Sequence, residues 1–201
     1  MPAKSSSSRL PARFAPANLP LRLAFGAQRT TLRALEPGDT GALIEFFASH
    51  SEETIHRRYG YARVLMTPEQ ASRLVNVDQT RDAALGVFER FDGALRLIAI
   101  GRYCLGLDGR WAEVAFVVHE ERRALGIGTT LLVALTAIAR ERGLERLVAE
   151  VEQDNVPMLQ ILRRAGATIH DVPQTSCVEA TLFLGEPSRG VERRSSSRGR
   201  K

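Results

Sequence analysis

Val118-His119-Glu120-Glu121-Arg122-Arg123-Ala124-Leu125-Gly126-Ile127-Gly128-Thr129-Thr130-Leu131-Leu132 joins an apolar, strand-like run to an amphipathic helix through a short charged loop. Ile127, Leu131, Leu132, Leu135 and Ile138 recur at helical spacing over 126–142, and Gly143 is placed to end that helix. The first amide N–H groups of a helix lack intrahelical partners and carry the positive end of the dipole, so a helix start attracts anions. Gly126 and Gly128 have no Cβ, which lets a phosphate approach the backbone closely, and Arg123 adds positive charge. The stretch predicts a pyrophosphate site. No Lys follows the glycines, which excludes the P-loop of nucleoside triphosphate enzymes. The residue three after Gly128 is Leu131, which excludes the dinucleotide fingerprint.

Upstream, residues 83–90 and 94–104 read as a hairpin about Phe91-Asp92-Gly93, and 111–118 follows the Leu107-Asp108-Gly109 turn as a third antiparallel strand. Before them, 30–35 alternates as a strand. Asp39 is placed to cap a helix over 40–49 that carries Leu43, Phe46 and Phe47 on one face. Ser51 is placed to cap a helix through Tyr59, and Thr67-Pro68-Glu69-Gln70 is a capping-box pattern opening a helix that ends near Val75. Downstream, 144–151 is a strand, Asn155 caps a helix that Gly166 closes, and 167–172 and 177–184 are two final strands. This order predicts a single mixed α/β domain: one mostly antiparallel sheet of about six or seven strands with helices on both faces.

The chain has 201 residues, enough for one ordinary core. No apolar run reaches the roughly 20 residues that cross a bilayer. The net charge of +5 is uneven. Residues 1–30 carry five basic side chains and no acid, and 186–201 carry six against two, so 31–185 stands at −4. A basic fold that wraps nucleic acid is therefore not expected. Residues 1–29 and 186–201, rich in Ser, Arg and Pro, are expected to be disordered basic tails with at most weak nucleic-acid contact, leaving 30–185 as the folded domain. Cys104 and Cys177 sit in apolar runs and read as reduced core thiols. His50, His56, His119 and His170 show no metal-ligand spacing, so no metal is expected.

Arg123-x-x-Gly126-x-Gly128 after a strand resembles the acyl-CoA signature of the GNAT superfamily, the acyl-CoA-dependent N-acyltransferases. The likeness extends to Asp154-Asn155-x-x-Met158 with Ala165-Gly166-Ala167, and to Leu32-Arg33-x-Leu35-x-Pro37-x-Asp39, so it covers 30–184. The chain departs from the usual run with Glu120 for Pro, Arg122 for Tyr and Ala124 for Gly. The resemblance implies acetyl-CoA as co-substrate. It assigns the cofactor site to Phe116, Val117, Val118, Arg123, Ala124, Leu125, Gly126, Ile127, Gly128, Thr129, Asn155 and Met158. It also implies that a backbone N–H near Val117 or Val118 holds the thioester oxygen, where 111–118 splays from 144–151. Many members place a tyrosine acid seven residues after the Asn; here that residue is Leu162.

A narrower likeness, carried by Ser51-Glu52-Glu53-Thr54-Ile55-His56-Arg57-Arg58-Tyr59, Val77-Asp78-x-x-Arg81-x-Ala83-Ala84-Leu85 and Ala112-Glu113-Val114-Ala115-Phe116, points to the GNAT domain of bacterial protein lysine acetyltransferases. Some of those carry a cyclic-nucleotide domain or an acyl-CoA-synthetase-like portion, for which this chain is too short. Glu113 interrupts an apolar strand, and alternation puts it on the face of Ala115 and Val117. A carboxylate among such neighbours is expected to have a raised pKa, which suits a general base, and the resemblance gives Glu113 that role. A solvent-facing Glu is the plain alternative. The expected function is a bacterial, cytoplasmic N-acetyltransferase acting on a primary amine, a protein lysine first. A small amine acceptor and a non-catalytic acyl-CoA sensor are the alternatives, and the protein is expected to be a monomer or homodimer.

Overall fold

A computed structural model of the protein describes residues 18–54 and 66–185. Its centre is one eight-stranded sheet in the order β1-β2-β3-β4-β5-β6-β8-β7. The strands are β1 (Leu21–Phe25), β2 (Gln28–Ala34), β3 (Ala83–Phe91), β4 (Ala94–Leu105), β5 (Trp111–Val118), β6 (Arg146–Glu152), β7 (Thr168–Asp171) and β8 (Cys177–Phe183). Every neighbouring pair is antiparallel except β5 and β6. That parallel pair needs a crossover, which α3 (Ile127–Glu141) supplies. The other helices are α1 (Thr40–Ala48), α2 (Pro68–Val75) and α4 (Val156–Arg164). The mixed α/β class holds, with more strands than expected.

Two apolar clusters lie on opposite faces of the sheet. Ile127, Leu131 and Leu135 of α3 and Leu159 and Leu162 of α4 pack on Ala112, Val114, Leu147, Ala149 and Ala180. On the other face, Leu43, Phe46 and Phe47 of α1 and Ala71 and Val75 of α2 pack on Ala84, Phe88, Leu97 and Ile100. Strand alternation sorts these two sets, so the period-two burial of β6 and β8 follows from their sequence.

The hairpin between β3 and β4 turns on Asp92 and Gly93, both at positive φ, which fits the right-handed twist of the strands it joins. Thr67 Oγ1 accepts from the Gln70 N–H, and Gln70 Oε1 accepts from the Thr67 N–H, so the expected capping box is formed. Asn155 Oδ1 accepts from the Met158 N–H and caps α4. The helix expected from Ser51 begins at residue 52 and is helical through residue 54; residues 55–65, with His56, Arg57 and Arg58, lie outside the described residues.

Two expectations change. Asp39 precedes α1 without capping it by its side chain. Its carboxylate instead takes both Arg33 amino groups, at 2.6 and 2.7 Å, and the Glu36 N–H at 2.8 Å. Burial raises the Asp39 pKa, but these donors prevail and hold it below the usual carboxylate range. The fold also begins earlier than residue 30. β1 lies within the stretch expected to be a tail and pairs with β2 from Leu21↔Leu32 to Phe25↔Gln28. Its alternation is short, but Leu21, Leu23 and Phe25 pack against the larger cluster.

A chain trimmed to residues 30–185 therefore loses an edge strand and uncovers fully buried Leu32. Compared with a chain trimmed to 18–185, it is expected to unfold at least about 2–4 °C lower, the shift that about 1 kcal/mol produces in a domain of this size. Thermal unfolding followed by circular dichroism checks this.

Candidate active site

The site is set by a strand pair that stops pairing. β5 and β6 match at Trp111↔Arg146, Ala112↔Leu147 and Glu113↔Val148, and no further. Beyond that point β5 stays with β4 up to Val118, opposite Ala99, while β6 stays with β8 up to Glu152, opposite Cys177. The His119 N–H donates to Ile98 O on β4. Amides alternate along a strand, so those of Val118 and Phe116 turn the other way, into the gap beside β6. Val118 O lies on that same side and accepts from Arg123 Nε at 3.4 Å. Of the two expected amides, Val118 faces the gap and Val117 faces β4.

Glu113 sits at the apex, where the two strands part. It shares a face with Ala115 and Val117, as alternation requires, because Val117 packs with the α1–α2 cluster. The apolar enclosure expected around its carboxylate is not found, since Glu113 is exposed. On that face no helix of the described residues covers β6 and β8. Val148 pairs with Thr181, and Glu150 stands directly opposite Glu179, both exposed, one step from Glu113. Cys177 lies beside Glu150; burial first, then this carboxylate, push its thiol up, so it remains protonated at neutral pH. Leu162, in the tyrosine position, is 1% exposed in the core and presents no acid to the gap.

At the far end of β5 the loop climbs to α3. Ala124 has φ +61° and Gly126 +85°, so the backbone passes twice through the left-handed region before the helix begins. Gly126 is glycine for that reason, and a Cβ built on it would meet nothing within 4 Å. Ala124 takes the same conformation with a methyl group, at a cost of about 1–2 kcal/mol relative to glycine. Gly126 offers no side-chain cap, so the first-turn amides of Ile127, Gly128 and Thr129 have no partner inside the helix. Gly128 differs from Gly126: a Cβ there would lie 3.0 Å from Ile161 Cδ1 and 3.3 Å from Phe116 Cε2. Its bareness serves the packing of β5, α3 and α4 rather than an opening for a ligand. Asn155 and Met158 are half-buried at the start of α4, and Leu125 and Thr129 are exposed.

The loop is tied down by contacts that the motif did not announce. Glu89, in the interior of β3 and 2% exposed, takes Arg122 Nε and Nη2 at 3.0 and 2.9 Å. A lone acid that follows the apolar run Ala83–Phe88 within the strand was the available signal. Arg122 is thereby held at the sheet. Buried His119 has Arg96 Nη2 at 3.3 Å and packs edge-on against buried His50, ring centroids 5.3 Å apart. Burial keeps the His50 ring below its usual pKa against the opposing pull of the Phe46 carbonyl, so it is neutral near pH 7. Glu120 Oε1 accepts from the Ser51 N–H at 3.0 Å and the Ser51 hydroxyl at 2.9 Å. Arg123 Nη2 donates to Thr54 Oγ1 at 2.6 Å.

These features have counterparts among known proteins. Residues 29–168 match the family described as an acetyltransferase (GNAT) domain. The chain is 35% identical over 140 residues to Acetyltransferase Pat of Mycolicibacterium smegmatis, covering 68% of this chain and 40% of that protein. It is 30% identical over 152 residues to Mycothiol acetyltransferase of Clavibacter sepedonicus, covering 73% of this chain and 49% of that one. The chain thus spans half or less of the length of these curated relatives. The solved GNAT domain of S. lividans PAT has the same fold, with a TM-score of 0.73 at 24% identity over 86% of this chain and 98% of that one. So does YncA of Salmonella typhimurium, solved with acetyl-CoA, with a TM-score of 0.65 at 19% identity over 78% and 95%.

Burial works against ionisation of Glu120, but hydrogen bonds from Thr54 and Ser51 outweigh it and hold the carboxyl at about 2, below its ordinary 4.5. A carboxyl lowered in the folded state stabilises the fold fully above its unfolded pKa and progressively less as pH falls through its folded pKa. Glu120 is therefore expected to make stability fall as pH drops from about 4.5 to about 2. Glu120→Gln should be less stable at pH 7 and flatter across that window, the two proteins converging at its acid end. Urea unfolding at stepped pH measures both profiles.

Proposed function

The chain belongs to the GNAT acetyltransferase family, and from that footing we propose that it moves an acetyl group from acetyl-CoA to a primary amine, a protein lysine side chain, with Glu113 as general base. One observation carries this reading: the exposed Glu113 carboxylate stands where β5 leaves β6, with the Val118 and Phe116 amides further along the same gap. Family members use acetyl-CoA as co-substrate, which supplies the activated acetyl group. The loop suits its pyrophosphate, for it joins open space at Gly126, uncapped first-turn amides and the half-exposed Arg123 guanidinium. Arg123, Gly126 and Thr129 would hold the phosphates. Phe116, Val118, Asn155 and Met158 would flank the arm that runs down the gap.

A lysine amine has a pKa of about 10.4, so at neutral pH only a few in ten thousand are free to attack. Glu113 takes the proton, directly or through a water. The Val118 N–H, turned from β4, donates to the carbonyl oxygen as it gains charge. Glu150 and Glu179, on the same uncovered face, add negative charge where a cationic acceptor arrives. The 35% likeness to Acetyltransferase Pat supports a protein acceptor. The Clavibacter relative, named for mycothiol, supports a second reading in which the acceptor is a small molecule. Mass spectrometry of acetylated products, with protein and small-molecule fractions of a cell extract kept apart, decides between them. Among the described residues no helix is long and apolar enough to cross a membrane. A bacterial cytoplasmic setting, where acetyl-CoA is made, is part of this proposal.

Two variants test the chemistry. Gly126→Asn and Gly126→Asp both suit a left-handed backbone in open space, but only the second places a negative charge at the helix start. Gly126→Asp is expected to bind CoA at least about tenfold more weakly than Gly126→Asn by calorimetry, with both folded, since about 1.4 kcal/mol of repulsion suffices. Glu113→Gln keeps size and hydrogen-bonding reach without basicity. It should bind acetyl-CoA within a few-fold of the parent yet turn over about 10²–10⁴ times more slowly at pH 7. The deficit should narrow as pH rises toward the lysine pKa. Wild-type turnover at pH 7 would remove Glu113 from the base role.

A further inference from the structure

Thr54 precedes Arg123 by 69 residues, yet the two side chains share the shortest contact of the loop, 2.6 Å from Nη2 to Oγ1. Thr54 is 6% exposed, so this hydroxyl is almost closed to water. It accepts from Arg123, and it is among the groups that hold the Glu120 carboxyl low. Glu120 also takes the Ser51 hydroxyl and N–H, and the Ser51 hydroxyl takes the Thr54 N–H at 3.3 Å. Arg123 Nη2 lies 3.8 Å from Glu120 Oε1, within ion-pair range. The Ser51 hydroxyl closes the set, within reach of both Glu120 Oε1 at 2.9 Å and Thr54 Oγ1 at 3.2 Å.

This arrangement fixes the guanidinium by two of its three nitrogens. Nε is held at Val118 O and Nη2 at Thr54 Oγ1, while Nη1 has no partner among the described residues and the side chain is 51% exposed. An arginine is a planar fork, so fixing two corners fixes the direction of the third. Glu120 supplies the counter-charge that keeps the cation at this spot, and its carboxyl, held at about 2, is ionised at any physiological pH.

We infer that Thr54 is a positioning residue for the cofactor. It aims Arg123 at the pyrophosphate and makes the helical turn at residues 52–54 and the phosphate loop one mechanical unit. The inference rests on the reading that residues 123–128 hold the CoA pyrophosphate. Coupling of this kind is reciprocal. If the turn orients Arg123 for the anion, the anion in turn steadies the turn, and the turn registers whether cofactor is present.

Calorimetry with CoA on the full chain, combined with amide hydrogen exchange, tests it. Thr54→Val keeps the shape and removes the hydroxyl, and Thr54→Ser keeps the hydroxyl. Thr54→Val is expected to weaken CoA by about five- to twentyfold, the loss of about 1–1.8 kcal/mol, and Thr54→Ser by less than about twofold. In an Arg123→Ala background Thr54→Val should add nothing, because its effect runs through that arginine. Saturating CoA should slow exchange at residues 52–54 in the parent and not in Thr54→Val. Parent-like affinity in folded Thr54→Val, or full additivity with Arg123→Ala, overturns the inference. If Thr54→Val does not fold, the parent alone decides, since unchanged exchange at 52–54 on CoA saturation overturns it. Gly126→Asp separates the two levels. If it leaves CoA affinity intact, the phosphate-loop reading fails. If it abolishes binding while Thr54→Val changes nothing, the loop stands and only the positioning role falls.

Discussion

A parallel pair of strands inside an antiparallel sheet needs a crossover, and here that need makes the cleft. α3 must leave the end of β5, run back over the sheet and deliver the chain to the start of β6. β5 and β6 meet only over Trp111–Glu113 and Arg146–Val148, and then each follows its other neighbour. The gap leaves strand amides without a strand partner, in a place where two helix starts and a strand end converge. A carboxylate at the fork, amide donors along one wall and an anion-seeking helix start at the mouth all follow from this one parting.

The mouth would be of little use if the loop moved freely, and it is heavily pinned. Arg122 reaches Glu89 in the sheet interior, Arg96 reaches His119, and Glu120 reaches Ser51. Breaking a buried ion pair such as Glu89–Arg122 by removing one partner costs about 3–5 kcal/mol. The loop is anchored from β3, from β4 and from the segment at Ser51, so its left-handed passages at Ala124 and Gly126 are held from outside. The strain of an alanine at φ +61° is tolerable in that setting.

The charge of the chain divides along the same lines. The core from 31 to 185 is acidic overall although the whole chain is basic. Within the core Arg96, Arg122 and Arg123 stand around the loop, while Glu113, Glu150 and Glu179 stand on the open face beyond the fork. An anionic cofactor and a cationic acceptor would thus approach opposite ends of the same gap.

Much of this was legible in the residues themselves. The helical spacing from Ile127 to Ile138, the Asp92-Gly93 turn, the Thr67 capping box and the Asn155 cap are local features, fixed by backbone sterics and short-range hydrogen bonds, and each formed as read. The Arg123-x-x-Gly126-x-Gly128 spacing likewise determined a loop entering an uncapped helix start. What only the tertiary structure decided involved partners distant in sequence. Asp39 had two possible uses, and Arg33, brought alongside by β2, took it from the helix cap. β1 was too short to declare itself until β2 offered an edge to pair with. Glu113 read as enclosed because its strand neighbours are apolar, yet exposure depends on what covers a face, and no helix of the described residues covers that one. Gly126 and Gly128 looked alike in the motif, but one faces open space and the other faces Phe116 and Ile161. Thr54 was ordinary until the fold set it against Arg123, because a hydrogen bond depends on position in space and the sequence between 54 and 123 does not encode that distance locally.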